Sequence, residues 1–153
     1  MLVLLLSLGL VFVDQASKAW ITKTFSLGES VPVIHGVFSL TYVRNTGAAW
    51  GTFGNSTGML AALSVAVLLM LIIFRRSFLT DSLVHRVALG LMISGIAGNL
   101  LDRIRLCYVV DFFDFYWRNH HFAVFNVADS AICVGVGLYI LSALLAPPDK
   151  PVK

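Results

Sequence analysis

Four apolar stretches, each near the length of a membrane-crossing helix, dominate the sequence: Met1 to about Ile21, Met59–Phe74, Val84 to about Leu101, and Val127–Ala146. A spanning helix takes about 20 largely apolar residues, so 153 residues hold four such helices and short links, with no room for a separate soluble domain. At about 1.5 Å per residue the second stretch is about 24 Å long and needs flanking residues to cross a hydrocarbon core about 30 Å thick. The expected fold is one all-α membrane domain over 1–153, with four transmembrane helices at about 1–21, 57–75, 84–104 and 127–146.

Composition agrees with a bilayer as solvent, at 58% hydrophobic and 12% charged residues and a mean hydropathy of +0.87. The formal charge of +3 comes from Lys and Arg residues that form no basic run, which argues against a nucleic-acid footprint and suits contact with anionic membrane lipids. Cys107 and Cys133 have no Cys or His partner at metal-ligand spacing, so neither a metal site nor a disulfide framework is expected. The opening MLVLLLSLGLVFVDQASKAW lacks the basic flank and A-x-A-like site of a cleaved leader and reads as a retained first helix.

Between the first two helices, VFSLTYVRN alternates Phe38, Leu40 and Tyr42 with Ser39 and Thr41, the period of a half-buried strand. A small β-sheet on the membrane surface, over about 29–53, is expected. Gly90, Ser94 and Gly98 recur at four-residue intervals in the third helix, and Ala131 and Gly135 do so in the fourth. Small residues so spaced let helices approach closely. Lys and Arg are balanced between the two sides, so charge leaves the orientation open.

An ionisable side chain at a membrane boundary is costly and survives with a partner or a task. Glu29, Asp81 and Asp149 fall in loops or the tail and read as solvated, which leaves five acids. Asp14 and Lys18 stand i, i+4 on one helix face and suit an ion pair. In RNTGAAWG, Asn45 and Gly47 offer a turn, and Ala48 and Ala49 leave room beside the backbone. Asn99, Asp102 and Arg103 share one face at the end of the third helix; an Asp/Arg surface pair is one reading, but a carboxamide as deep as Asn99 needs partners. Asp111 lies between valines and phenylalanines, where poor solvation favours its protonated form, and Asp114 has a similar setting. Asn126 and Asp129 resemble a capping pair opening the fourth helix, whose dipole favours a negative charge. Two carboxylates in such different surroundings suit acid/base work on water. A proton-coupled transporter would also keep embedded acids, but with a repeat or paired half-helices that this sequence lacks.

DQASK, NTGAAW, GNLLDR, VVDFF and FNVADS, in this order and spacing, resemble the lipoprotein signal peptidase family over Val11 to about Gly135. The resemblance implies a four-helix fold with its sheet on the outer membrane face, both termini cytoplasmic, a bacterial inner-membrane location, and no metal or organic cofactor. It implies an aspartic endopeptidase that cuts prolipoproteins just before a diacylglyceryl-modified cysteine. A monomer is expected, although no sequence feature bears on the oligomeric state. By motif, Asp111 and Asp129 are the catalytic dyad. Asp14, Lys18, Asn45, Gly47, Asn99, Asp102, Arg103 and Asn126 bind substrate or support the dyad. Trp50 departs from the Phe common in the family and Ile96 from a frequent Gly; both touch packing or substrate preference and leave the dyad intact.

Overall fold

The structure is a computed structural model that describes residues 1–47, 56–78, 82–118 and 120–145. Ala48, Ala49 and Trp50, with Asp81 and Asp149, lie outside the described residues. Along the chain run α1 (Leu2–Thr24), β1 (Ser30–Ile34), β2 (Phe38–Asn45), α2 (Thr57–Ile73), α3 (Arg75–Phe78), α4 (Leu83–Leu106), β3 (Val109–Trp117), β4 (His120–His121) and α5 (Val127–Leu145).

Among the described residues three helices are long and apolar enough to cross a membrane: α1, α4 and α5. The 17-residue α2 is apolar but shorter. The helices turn their large apolar side chains outward, Leu4, Leu5, Leu8 and Phe12 on α1 and Ile140, Leu141 and Leu144 on α5, as a chain solvated by lipid does. They bury small and polar residues instead. On α4 these include Gly90, Ser94, Gly95, Gly98, Asn99 and Asp102.

Helix α4 packs against α1, α2 and α5, and its glycines set how closely. A Cβ on Gly98 would lie 2.6 Å from the Asp14 carboxylate of α1, and one on Gly135 of α5 would lie 2.9 Å from the Ala88 carbonyl. Gly95, which the expected stripe did not include, is tighter still: its Cβ would run into the Ala128 carbonyl of α5 and come within 2.6 Å of Ile132. These contacts seat the first turn of α5 directly on α4, the feature on which the site depends. Ile96 packs at the edge of an apolar cluster of Leu71, Leu89 and Met92.

The sheet is antiparallel in the order β1-β2-β3-β4, so the fold is mostly rather than wholly helical. The expected strand is β2, paired with β1 through Val31–Leu40 and Pro32–Ser39. The sequence reading did not assign β3, although it contributes the longest strand, with Asp111 opposite Val43 and Val110 opposite Arg44. Its buried face, with Tyr42 and Ile21, forms a core around Val110 and Phe112. The chain enters β3 through Cys107, whose left-handed φ of 63° ends α4. Phe112 and Phe113 donate backbone N–H groups to the Phe125 carbonyl at 3.0 and 2.7 Å. That link ties the start of α5 to the strand carrying Asp111.

Candidate active site

The first turn of α5 builds one half of the site. The backbone N–H of Asp129 donates to Asn126 Oδ1 at 2.9 Å, and the Asn126 N–H donates back to Asp129 Oδ2 at 3.2 Å. This reciprocal cap satisfies groups that a helix start would otherwise leave open. The cap does more than end a helix. Asn126 is fully buried, and with its oxygen committed to the backbone its Nδ2 donates to Asp111 Oδ1 at 2.7 Å. One carboxamide therefore touches both aspartates.

Asp111 is held from its other side in the same manner. Asn45 Oδ1 accepts the Gly47 N–H at 2.9 Å, which turns its Nδ2 toward Asp111 Oδ2, also at 2.9 Å. Both oxygens of Asp111 thus face amide donors whose orientation is fixed by backbone groups. The residue is 2% exposed. Its pKa is pushed up to about 7 from an ordinary 3.8, chiefly by burial and then by the charge of Asp129, against the lowering effect of Asn45, Asn126 and Lys18. Asp129 is half-buried and so the more hydrated of the two.

Behind the dyad lies a charged network. Lys18 Nζ is 2.9 Å from Asp14 Oδ2, 3.0 Å from Asp102 Oδ2 and 3.0 Å from Asn99 Oδ1. Its three protons have three acceptors, which is how a buried ammonium is tolerated. With its oxygen engaged by Lys18, Asn99 turns its Nδ2 to Asp129 Oδ1 at 2.7 Å. Asp14 accepts the Ala128 N–H of α5 at 3.0 Å through its second oxygen, and Asp102 accepts the Val110 N–H at 3.1 Å, one residue before Asp111. Asp14 thus positions the α5 turn, and Asp102 positions the strand.

The network corrects the surface-pair reading of Asp102 and Arg103. Asp102 is 2% exposed, and its ionic partner is Lys18 of α1, not its neighbour. The Asp14–Lys18 pair stands as expected, but buried. Gln15 was missed: its Nε2 lies 3.1 Å from Asp14 Oδ2, 2.9 Å from Asp102 Oδ1 and 3.2 Å from the Gly98 carbonyl. Its place beside Asp14 in an otherwise apolar helix was the available signal.

A cavity of about 440 Å³ opens over the dyad. Asn45, Gly47, Asn99, Arg103, Asp111 and Asp129 line its polar side, and Val109, Phe122, Val124, Phe125 and Ile132 line its apolar side. Arg103 reaches toward the Gly47 carbonyl at 3.5 Å. Asp14, Lys18, Asp102 and Asn126 stand behind the wall, so the ten expected residues divide into six that face the cavity and four that hold them. Asp114 belongs to neither group. It accepts from Thr41 Oγ1 at 2.9 Å and pairs with His121 Nδ1 at 2.9 Å.

Over residues 6–145 the chain matches the family described as signal peptidase (SPase) II. Among its relatives, the lipoprotein signal peptidase of Geobacter metallireducens is 45% identical over 136 residues, covering 86% of this chain and 83% of the relative. The lipoprotein signal peptidase of Nostoc sp. is 44% identical over 139 residues, covering 91% and 87%. A bacterial membrane enzyme solved by the in meso method at 2.3 Å superimposes with a TM-score of 0.88 at 32% identity, covering 99% of this chain and 94% of that one.

Proposed function

We propose that this chain, which belongs to the signal peptidase II family and is a peptidase removing signal peptides from prolipoproteins, cuts them with Asp111 and Asp129 as an aspartic dyad. The observation that carries the reading is Asn126, which donates its side-chain amide to the Asp111 carboxyl and its backbone N–H to the Asp129 carboxyl at the floor of one cavity. Like charges this close resist joint ionisation, so the pair holds one proton between them. The lower exposure of Asp111 supports placing that proton there, and the α5 N-terminus with the Asn99 amide favours the negative charge on Asp129.

Both Asp111 oxygens already accept from fixed amides, so the Asp111 proton points toward the open cavity and not into the wall. There it donates to the scissile carbonyl. Asp129, ionised and half-hydrated, takes a proton from water as the water attacks that carbon. Asp129 then passes that proton to the leaving nitrogen, one hydroxyl of the tetrahedral intermediate returns a proton to Asp111, and the peptide bond breaks. Arg103 and Gly47, on the cavity wall, orient the substrate backbone. The apolar wall receives the residues around the modified cysteine. Cleavage falls just before that diacylglyceryl-cysteine, and the acyl chains lie along the bundle.

The same reading takes α2 as a fourth span, helped by its flanking residues. The sheet then covers the outer face of a bacterial inner membrane, with both termini cytoplasmic. Asn45, Asn99 and Asn126 of a single chain donate to the two carboxyl groups, which supports a monomer as the working unit. A reporter in the β1–β2 turn at Gly36 registers outside and one at Met1 inside.

The test is digestion of a diacylglyceryl-modified and an unmodified precursor by the purified protein in detergent, with N-terminal analysis of the product. A product starting at the modified cysteine, with the unmodified precursor uncut, is expected. Equal cutting of both precursors would sink the lipid-dependent reading.

A further inference from the structure

A second cavity, of about 380 Å³, shares no lining residue with the first. The two take alternate residues from the same elements. Arg44, Asp102 and Val110 line this one, where Asn45, Arg103 and Asp111 line the other. Strand alternation sends successive side chains to opposite faces, so the second cavity lies behind the dyad wall.

Its charges are unbalanced. Lys18, Arg44, Arg105 and a single carboxylate, Asp102, line it. Lys18 and Asp102 are already joined, and Asp102 also accepts from Gln15 and from Val110 N–H. Among the described residues neither Arg44 nor Arg105 has a carboxylate partner. Arg44 is nonetheless held in place. Its guanidinium carbon lies 4.9 Å from the Tyr108 ring centre and 5.7 Å from that of Tyr42, and its Nε donates to the Tyr42 hydroxyl at 3.0 Å. That arrangement leaves the terminal nitrogens as the outward donors. Among the described residues Arg105 makes only a long 3.4 Å contact with Gln15 Oε1.

Two arginines over one cavity suit a tetrahedral anion, because guanidinium groups bind phosphate oxygens in pairs. The surroundings say where that anion comes from. Leu27 and Leu106 line the cavity and are 58% and 38% exposed. Next to it on α1 and α4, Trp20 and Ile104 are 53% and 65% exposed. A water-soluble anion has no use for this apolar border, whereas a phospholipid needs a polar pocket and an apolar flank side by side, with Trp at the interface. We propose that this cavity binds the phosphodiester of an anionic phospholipid between Arg44 and Arg105, its acyl chains lying along Ile104 and Leu106.

Bound there, the lipid touches the far side of the network that positions Asp111, through Asp102 and Val110. It therefore braces the strand from behind. The proposal does not rest on the peptidase reading, since it needs neither aspartate of the dyad.

The test is thermal unfolding of the purified full chain in detergent, titrated with phosphatidylglycerol, phosphatidylcholine or inorganic phosphate. Phosphatidylglycerol should protect at about a tenfold lower concentration than phosphatidylcholine, and the preference should weaken as salt rises. The double variant Arg44→Gln/Arg105→Gln should lose the preference, and Asp111→Asn should keep it. If the double variant does not fold, Arg105→Gln alone, at an exposed side chain, carries the comparison. Equal protection by both lipids, or an unchanged preference in the arginine variants, overturns the proposal. Protection by inorganic phosphate matching that of phosphatidylglycerol overturns the lipid assignment in favour of a free-anion site.

Discussion

Asp111→Asn should abolish cleavage and at the same time change how stability depends on pH. The folded protein holds the Asp111 pKa at about 7, against 3.8 for an ordinary carboxyl. Between those values the folded state keeps a proton that the unfolded chain has released, so stability falls as pH rises through the window and levels off above about 7. Each unit is worth about 1.4 kcal/mol, so the ionised carboxylate costs folding about 4 kcal/mol at pH 8, of which roughly 2.5 is lost between pH 5 and 8. Asparagine removes that cost. It adds another, because its NH2 must face a donor amide from Asn45 or Asn126, each pinned by a backbone N–H; a mismatched buried donor costs about 1–3 kcal/mol. The variant should therefore be near wild-type stability at pH 5 and more stable than wild type, by roughly 1–3 kcal/mol, at pH 8. Melting of both proteins in detergent at the two pH values measures this. The wild-type melting temperature should drop by about 5–10 °C more than that of the variant. Parallel pH dependences would refute the burial argument, and surviving turnover in Asp111→Asn would refute the dyad.

Asp129→Asn keeps the cap, since Asn126 Oδ1 accepts the backbone N–H of residue 129 whatever its side chain, and an asparagine oxygen can still accept the Asn126 N–H, so helix content should hold while turnover disappears; the double variant with Asp111→Asn should be hardly slower than either single one in the same assay. Wild-type turnover should fall about tenfold per pH unit above about 7, as Asp111 loses its proton, and a rate flat to pH 9 would count against a protonated Asp111. Asp102→Asn should lower turnover in part, through about 1–3 kcal/mol of lost bonding to Lys18, Gln15 and Val110. Complete loss in a variant whose melting is unchanged would give Asp102 a direct part in the chemistry. Asp114→Asn, bonded to Thr41 and His121 away from the cavity, should turn over substrate at close to the wild-type rate.

Much of this architecture was legible because helix periodicity and apolar length are local signals. The stripe Gly90, Ser94, Gly98 and the Asn126–Asp129 cap could be read within a few residues of chain, and both are present. Strand β3 was not read, since VVDFFDFYW is apolar on both faces and carries two aspartates, which strands usually avoid. Its partners come from β2, far back in the chain. For the same reason Asp102 was paired in expectation with Arg103 beside it, when its true counter-ion stands on α1. A sequence window shows neighbours in the chain, and this site is made of neighbours across it. Gln15 was overlooked because an uncharged amide next to an Asp–Lys pair looks like filler until three acceptors converge on it.

The bond from Ala128 N–H to Asp14 joins residues 114 positions apart, and it has a consequence for biogenesis. Ribosomes deliver α1 first and α5 last. Until α5 arrives, Asp14 has an empty acceptor, Asn99 has no Asp129 to hold, and Asp111 lacks the Asn126 amide. With Asp111 and Asp129 as the proposed dyad, the nascent chain is inert toward precursors emerging beside it until α5 is in place.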